Sequence, residues 1–133
     1  MTESIFRKIL WTYIAITLLG AATAFYPDYS QNLELAYLNE PDTWLMSNAW
    51  IFGTLTGALA IGSIAGLVGL FLFKSWARPL SVVSTLVDHL LSAFMGPLLY
   101  SGFGEALLGI SAVLWGAILA LSYFSAISDQ FGR

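Results

Sequence analysis

Asp88 and His89 stand side by side inside a stretch that is otherwise as apolar as a membrane span. An aspartate carried to the middle of a bilayer costs about 2.5–3.5 kcal/mol on insertion scales. A chain that keeps one there either covers it or uses it. Ser84, Thr85 and Ser92 lie three or four residues from Asp88, the spacing that gathers side chains on one face of a helix. A carboxylate, an imidazole and hydroxyls so placed can bind or relay a proton, or hold a small polar solute. They can equally hydrogen-bond to a neighbouring helix, at about 0.6–2 kcal/mol per contact within a membrane. A third reading is acid-base catalysis by the same pair. No nucleophile elbow or other catalytic motif directs Asp88 and His89, so no residue is assigned as catalytic.

The same inventory limits other chemistry. With one histidine and no cysteine, the chain cannot build a bis-histidine haem site or a thiolate metal site by itself. No metal and no cofactor is expected. The glycines carry no phosphate-loop meaning, because no GK[ST] ending follows them. Basic residues form no run, which leaves no footprint for nucleic acid.

The elements that must position Asp88 and His89 follow from composition. Of 133 residues, 58% are hydrophobic and 10% charged, against about 25% charged in a soluble domain. Four apolar stretches, at about 5–26, 44–73, 79–100 and 104–126, use most of the chain. The expectation is an all-α fold: one integral membrane domain over 1–133, a bundle of four transmembrane helices. The first stretch exceeds the roughly 7–15 residues of a secretory apolar core and is read as a retained helix. The second is long for a bilayer of about 30 Å, and tilt or projection into the interface would accommodate it. The third opens at Pro79, a good first-turn residue, and Gly96-Pro97 loosens or ends it.

Charge placement orients this map. Arg7, Lys8, Lys74, Arg78 and Arg133 fall on one side, whereas Asp28, Glu34, Glu40, Asp42 and Glu105 fall on the other with no lysine or arginine. Basic loops stay in the cytoplasm, which puts both termini there. Aromatic rings gather at membrane interfaces. Phe25, Tyr26, Tyr29, Trp44, Tyr100 and Phe103 would form the outer belt, with Phe6, Trp11, Phe73, Trp76, Tyr123 and Phe124 in the inner one. In the outer loop, Asp28-Tyr29-Ser30-Gln31 resembles a capping-box start. Tyr29, Leu33 and Tyr37 recur at helical spacing before Pro41, so a short helix on the outer face is expected.

Packing signals concentrate on the second stretch. Gly53 and Gly57, then Gly62 and Gly66, are small residues four apart, which let a second backbone approach closely. Five residues separate Gly57 from Gly62, so the two strips face different ways and could touch two neighbours. Ala112, Gly116 and Ala120 offer a matching strip on the last span, and Tyr13, Thr17, Gly20 and Ala24 another on the first. On the third stretch, Ser81, Ser84, Thr85, Asp88, His89 and Ser92 fall within an arc of about 140°, opposite Val82, Val83, Leu86, Val87, Leu90 and Phe94. That polar arc is expected to face the bundle, with Thr17, Ser63 or Ser111 as partners for Asp88.

The loop Phe73-Lys74-Ser75-Trp76-Ala77-Arg78-Pro79-Leu80 and the ending Trp115-Gly116-Ala117-Ile118-Leu119-Ala120-Leu121-Ser122-Tyr123-Phe124-Ser125 resemble segments of small bacterial four-helix inner-membrane proteins of unassigned activity. That resemblance implies a multi-pass protein of a bacterial cytoplasmic membrane and carries over no site residue. No membrane-embedded glutamate lies in the first stretch, a departure from the small multidrug pumps. The leading expectation is a non-enzymatic accessory, assembly or interaction protein that meets the lipid bilayer, other membrane proteins or its own copy in a homodimer. The rival is a small transporter or channel subunit working through Asp88 and His89.

Overall fold

A computed structural model describes residues 2–25, 31–96 and 98–132. Among them the chain is all-helical and without strands. The α-helices are α1 (Glu3–Ala22), α2 (Gln31–Leu38), α3 (Trp44–Ser47), α4 (Ala49–Phe71), α5 (Ala77–Ser92) and α6 (Gly102–Phe124). Short 3-10 segments follow α1 at Thr23–Phe25 and α6 at Ala126–Gly132. Three helical segments, Glu3–Phe25, Ala49–Phe71 and Gly102–Phe124, are long and apolar enough to cross a membrane. Each has 23 residues, or about 35 Å at the usual rise. Their outward surfaces are apolar too: Leu18, Leu19, Trp50, Ile61, Ile64, Ile110 and Val113 are all exposed. So much exposed apolar surface suits hydrocarbon rather than water, and it fits a small membrane protein.

The boundaries have local causes. The long second stretch divides at Asn48, whose side-chain Nδ2 donates to Trp44 O at 2.8 Å. Ser47 Oγ likewise donates to Thr43 O at 2.7 Å. Such side-chain bonds compete with the helical ladder, and they leave α3 as a single turn ahead of α4. Pro79 sits in the first turn of α5, where no intrahelical N–H is required. The helix stops at Ser92, well short of the expected end near Tyr100. Gly96 then takes φ +85°, the left-handed region that glycine tolerates. Ser101 opens α6 by accepting from Gly104 N–H at 3.0 Å. α2 ends before Pro41 as expected, while Tyr26 and the capping residues Asp28, Tyr29 and Ser30 lie outside the described residues.

The chain forms two compact units. In the first, α1 and α6 pair antiparallel. Tyr13 stacks on Trp115 with centroids 4.8 Å apart, Thr17 and Ser111 share a hydrogen bond of 2.5 Å, and Gly20 approaches Leu108. Alternating steps of three and four residues along both helices carry this seam, the period of a left-handed helix pair. Basic Arg7 and Lys8 mark one end of the unit, and Glu105 stands at the other.

In the second unit, α4 and α5 form an antiparallel hairpin. Glu40 and Asp42 precede it, and Lys74 and Arg78 lie at its turn. The turn ends α4 in a Schellman motif, with Lys74 N–H donating to Gly69 O at 2.8 Å and Phe73 N–H to Leu70 O at 3.2 Å. Phe73 occupies the position glycine usually takes, at φ 53°. Its ring is buried and meets Phe131 edge-on at 5.3 Å. The guanidinium of Arg78 lies over the same Phe131 ring, 5.0 Å from its centroid. Burial of Phe6 and Phe73 corrects their assignment to the inner aromatic belt: both pack into protein. Trp11, Trp76, Tyr123 and Phe124 are exposed, as a belt requires.

Candidate functional site

The polar arc of α5 is divided between two surroundings. Ala77, Ser81 and Ser84 step by four and three along one line and are buried. Each lies opposite a glycine of α4: a Cβ added to Gly69 would stand 2.5 Å from Ala77 Cβ, one on Gly66 2.6 Å from Ser81 Oγ, and one on Gly62 2.9 Å from Ser84 Oγ. Only glycine allows backbones this close. The hydroxyl of Ser81 has no hydrogen-bond partner among the described residues. It rests on Gly66, where a weak Cα–H contact is the available interaction.

Asp88 is the next residue on that line, four beyond Ser84, yet it is exposed, as is His89. Here the structure departs from the expectation that the whole polar arc faces inward. On α4, Gly57 and Gly53 have nothing within 4 Å of an added Cβ. The close contact between α4 and α5 is therefore confined to the half nearest Lys74. Along the other half Asp88 and His89 are exposed, and so, on the opposite side of the helix, are Val83, Leu86, Val87, Leu90 and Phe94.

The hydroxyls around the pair bond locally. Thr85 Oγ1 donates to Ser81 O at 2.8 Å, and Ser92 Oγ to His89 O at 2.8 Å. His89 Nδ1 lies 2.9 Å from Thr85 O. A carbonyl only accepts, so Nδ1 carries the proton, and Nε2 points away from that bond as the ring's second polar atom. None of these bonds engages the Asp88 carboxylate. Chemically, the arrangement offers one carboxylate and one imidazole nitrogen on an open helix face, each able to take a hydrogen bond or a proton. Among the described residues, no three metal-binding side chains come together.

Two of the three partners expected for Asp88 are engaged elsewhere. Thr17 and Ser111 bond to each other, with Thr17 Oγ1 also 2.8 Å from Tyr13 O. Ser63 is exposed. The small-residue strips divide as well. Gly62 and Gly66 pack against α5, whereas Gly53, Gly57 and Gly116 meet nothing within 4 Å. Ala112 and Ala120 are exposed alongside Gly116. α6 instead packs through Gly104, Ser111, Ile118 and Ser122. Gly69 against Ala77 and Trp76 was legible only as one more glycine of the run. Its helical offset of three from Gly66 was the available signal.

Comparison with family models, curated proteins and solved structures finds no match to this chain.

Proposed function

We propose that this chain is a non-enzymatic accessory or interaction protein of a bacterial inner membrane, crossing it four times with both termini in the cytoplasm. α1, α4 and α6 supply three crossings, and α5 with the segment after it supplies the fourth. The placement of Gly96 supports the fourth: an added Cβ there would lie 2.9 Å from Thr43 Cγ2, at the start of α3. The chain thus returns to the level from which the α3–α4 segment set out. The orientation rests on the end-to-end charge asymmetry within each unit and the cytoplasmic preference of basic residues.

The association reading is carried by one observation: Asp88 and His89 lie exposed on a helix whose opposite side, Val83, Leu86 and Leu90, is exposed and apolar. In hydrocarbon such groups are stabilised by a partner that hydrogen-bonds them. A photo-crosslinking side chain at Thr85 or Ser92, between the Asp88 and His89 directions and activated in intact membranes, should capture a protein helix. Capture of lipid alone would sink the association reading. The outward Nε2 of His89 beside a carboxylate favours a second reading, a small transporter or channel subunit that binds a proton or solute. Reconstituted vesicles should then show a flux that disappears in Asp88→Asn and His89→Gln.

A further inference from the structure

The exposed edge of α5 is self-complementary, and we propose that its partner is a second copy of this chain, joined by two reciprocal Asp88–His89 hydrogen bonds. The inference rests on the association reading and names its partner. Each copy presents one carboxylate and one imidazole, adjacent in sequence and both exposed. No lysine or arginine lies between Arg78 and Arg133, so His89 is the one basic group of α5 beyond its first turn. A partner that satisfies Asp88 must bring a donor or a base, and one that satisfies His89 must bring an acid. A second copy brings both at matching depth.

Geometry supports the pairing. Residues 88 and 89 differ by about 1.5 Å in height and about 100° in direction on an α-helix. A two-fold axis along the membrane normal sets two α5 helices side by side, pointing the same way. Across such an axis, position i meets j while j meets i. Asp88 would then face the partner subunit's His89, and His89 the partner subunit's Asp88. Thr85 and Ser92 project between the Asp88 and His89 directions, one turn to either side, and both are half-buried with their hydroxyls already bonded to their own helix. They give the seam a small, satisfied lining. The bond from His89 Nδ1 to Thr85 O fixes the ring and leaves Nε2 for the contact. Whether the proton rests on the carboxyl or on Nε2, the pair has one donor and one acceptor.

The test uses two differently tagged full-length copies in one membrane and reads the fraction that co-purifies in mild detergent. Wild-type copies should associate, and D88A with D88A or H89A with H89A should associate less, since alanine offers neither donor nor acceptor. D88A mixed with H89A is the decisive case, because one copy retains His89 and the other Asp88. One native pair is then rebuilt, and the mixture should exceed either single-variant combination by about threefold to thirtyfold in association constant, the range expected for one interhelical hydrogen bond. If H89A does not accumulate, H89L replaces it in the same comparison. Equal association in all combinations would overturn the proposal. So would a monomeric wild type whose Ser92 crosslinker captures a different protein, a result that leaves the association reading intact.

Discussion

At the scale of single residues, the contacts between α4 and α5 rank the glycines by what a side chain would meet. At Gly69 a methyl group would strike Ala77 Cβ and the Trp76 ring. Ala77 Cβ is fixed to its backbone and cannot rotate away. At Gly66 the nearest atom is a serine hydroxyl that can rotate. Gly69→Ala should therefore lower stability by about 1–3 kcal/mol, the usual cost of overpacking, and Gly66→Ala should cost less. Gly116→Ala, with open space around it, should be neutral or slightly stabilising through helix propensity. Thermal unfolding of the three variants in one detergent checks the order. A Gly116 variant as damaged as the Gly69 variant would refute the contact assignment. Phe73 raises a different balance, because its left-handed backbone costs about 1–2 kcal/mol while its ring packs on Phe131. Removing the buried Phe131 ring should cost about 3–5 kcal/mol in Phe131→Ala, measured in the same way.

At the scale of elements, small residues and a few hydroxyls rather than large apolar side chains distinguish the packed faces, since α1, α4 and α6 are each apolar enough for lipid. Thr17 and Ser111 join α1 to α6. A double-mutant cycle with Thr17→Val and Ser111→Ala should return a coupling of about 0.6–2 kcal/mol, and additive single effects would remove the bond from the account. This also explains which elements were legible in the sequence. Apolar length and charge located α1, α4 and α6, because a bilayer imposes both directly. The α1 strip through Tyr13, Thr17 and Gly20 was also readable, since it follows the helical repeat. The α6 face was not: Ser111 and Ala112 are neighbours about 100° apart, and both are small. Only the partner's shape chooses between them. Likewise the α5 arc looked uniform, yet its inward half ends at Ser84 because close packing on α4 ends at Gly62. The break at Asn48 was hidden because one asparagine in an apolar run reads equally as a helix interior or an end.

At the scale of the whole molecule, the number of crossings turns on α5. Its 16 residues span about 24 Å, less than the roughly 30 Å of a hydrocarbon core. For a crossing here, the described residues 93–96 and 98–101, which lie outside an α-helix, would have to complete the passage. Irregular backbone is tolerated at membrane depth only where protein or water satisfies it. The contact of Gly96 with Thr43 supplies protein at that level. Two topologies are then separable. If α5 completes the crossing, Leu98 emerges on the outer side and α6 returns the chain to the cytoplasm. If α5 turns back, Leu98 lies inside and α6 ends outside. Because the chain has no cysteine, single cysteines report without background. Leu98→Cys and Asn39→Cys should react with an impermeant maleimide added to intact cells, whereas Ser75→Cys should react only after permeabilisation. A C-terminal green fluorescent protein should be bright and a C-terminal alkaline phosphatase inactive. Labelling of Leu98→Cys only after permeabilisation, together with an active phosphatase, would reduce the crossings to three. Asp88 would then lie in a re-entrant helix, where water from the cytoplasmic side could reach it and no partner helix would be needed to cover it.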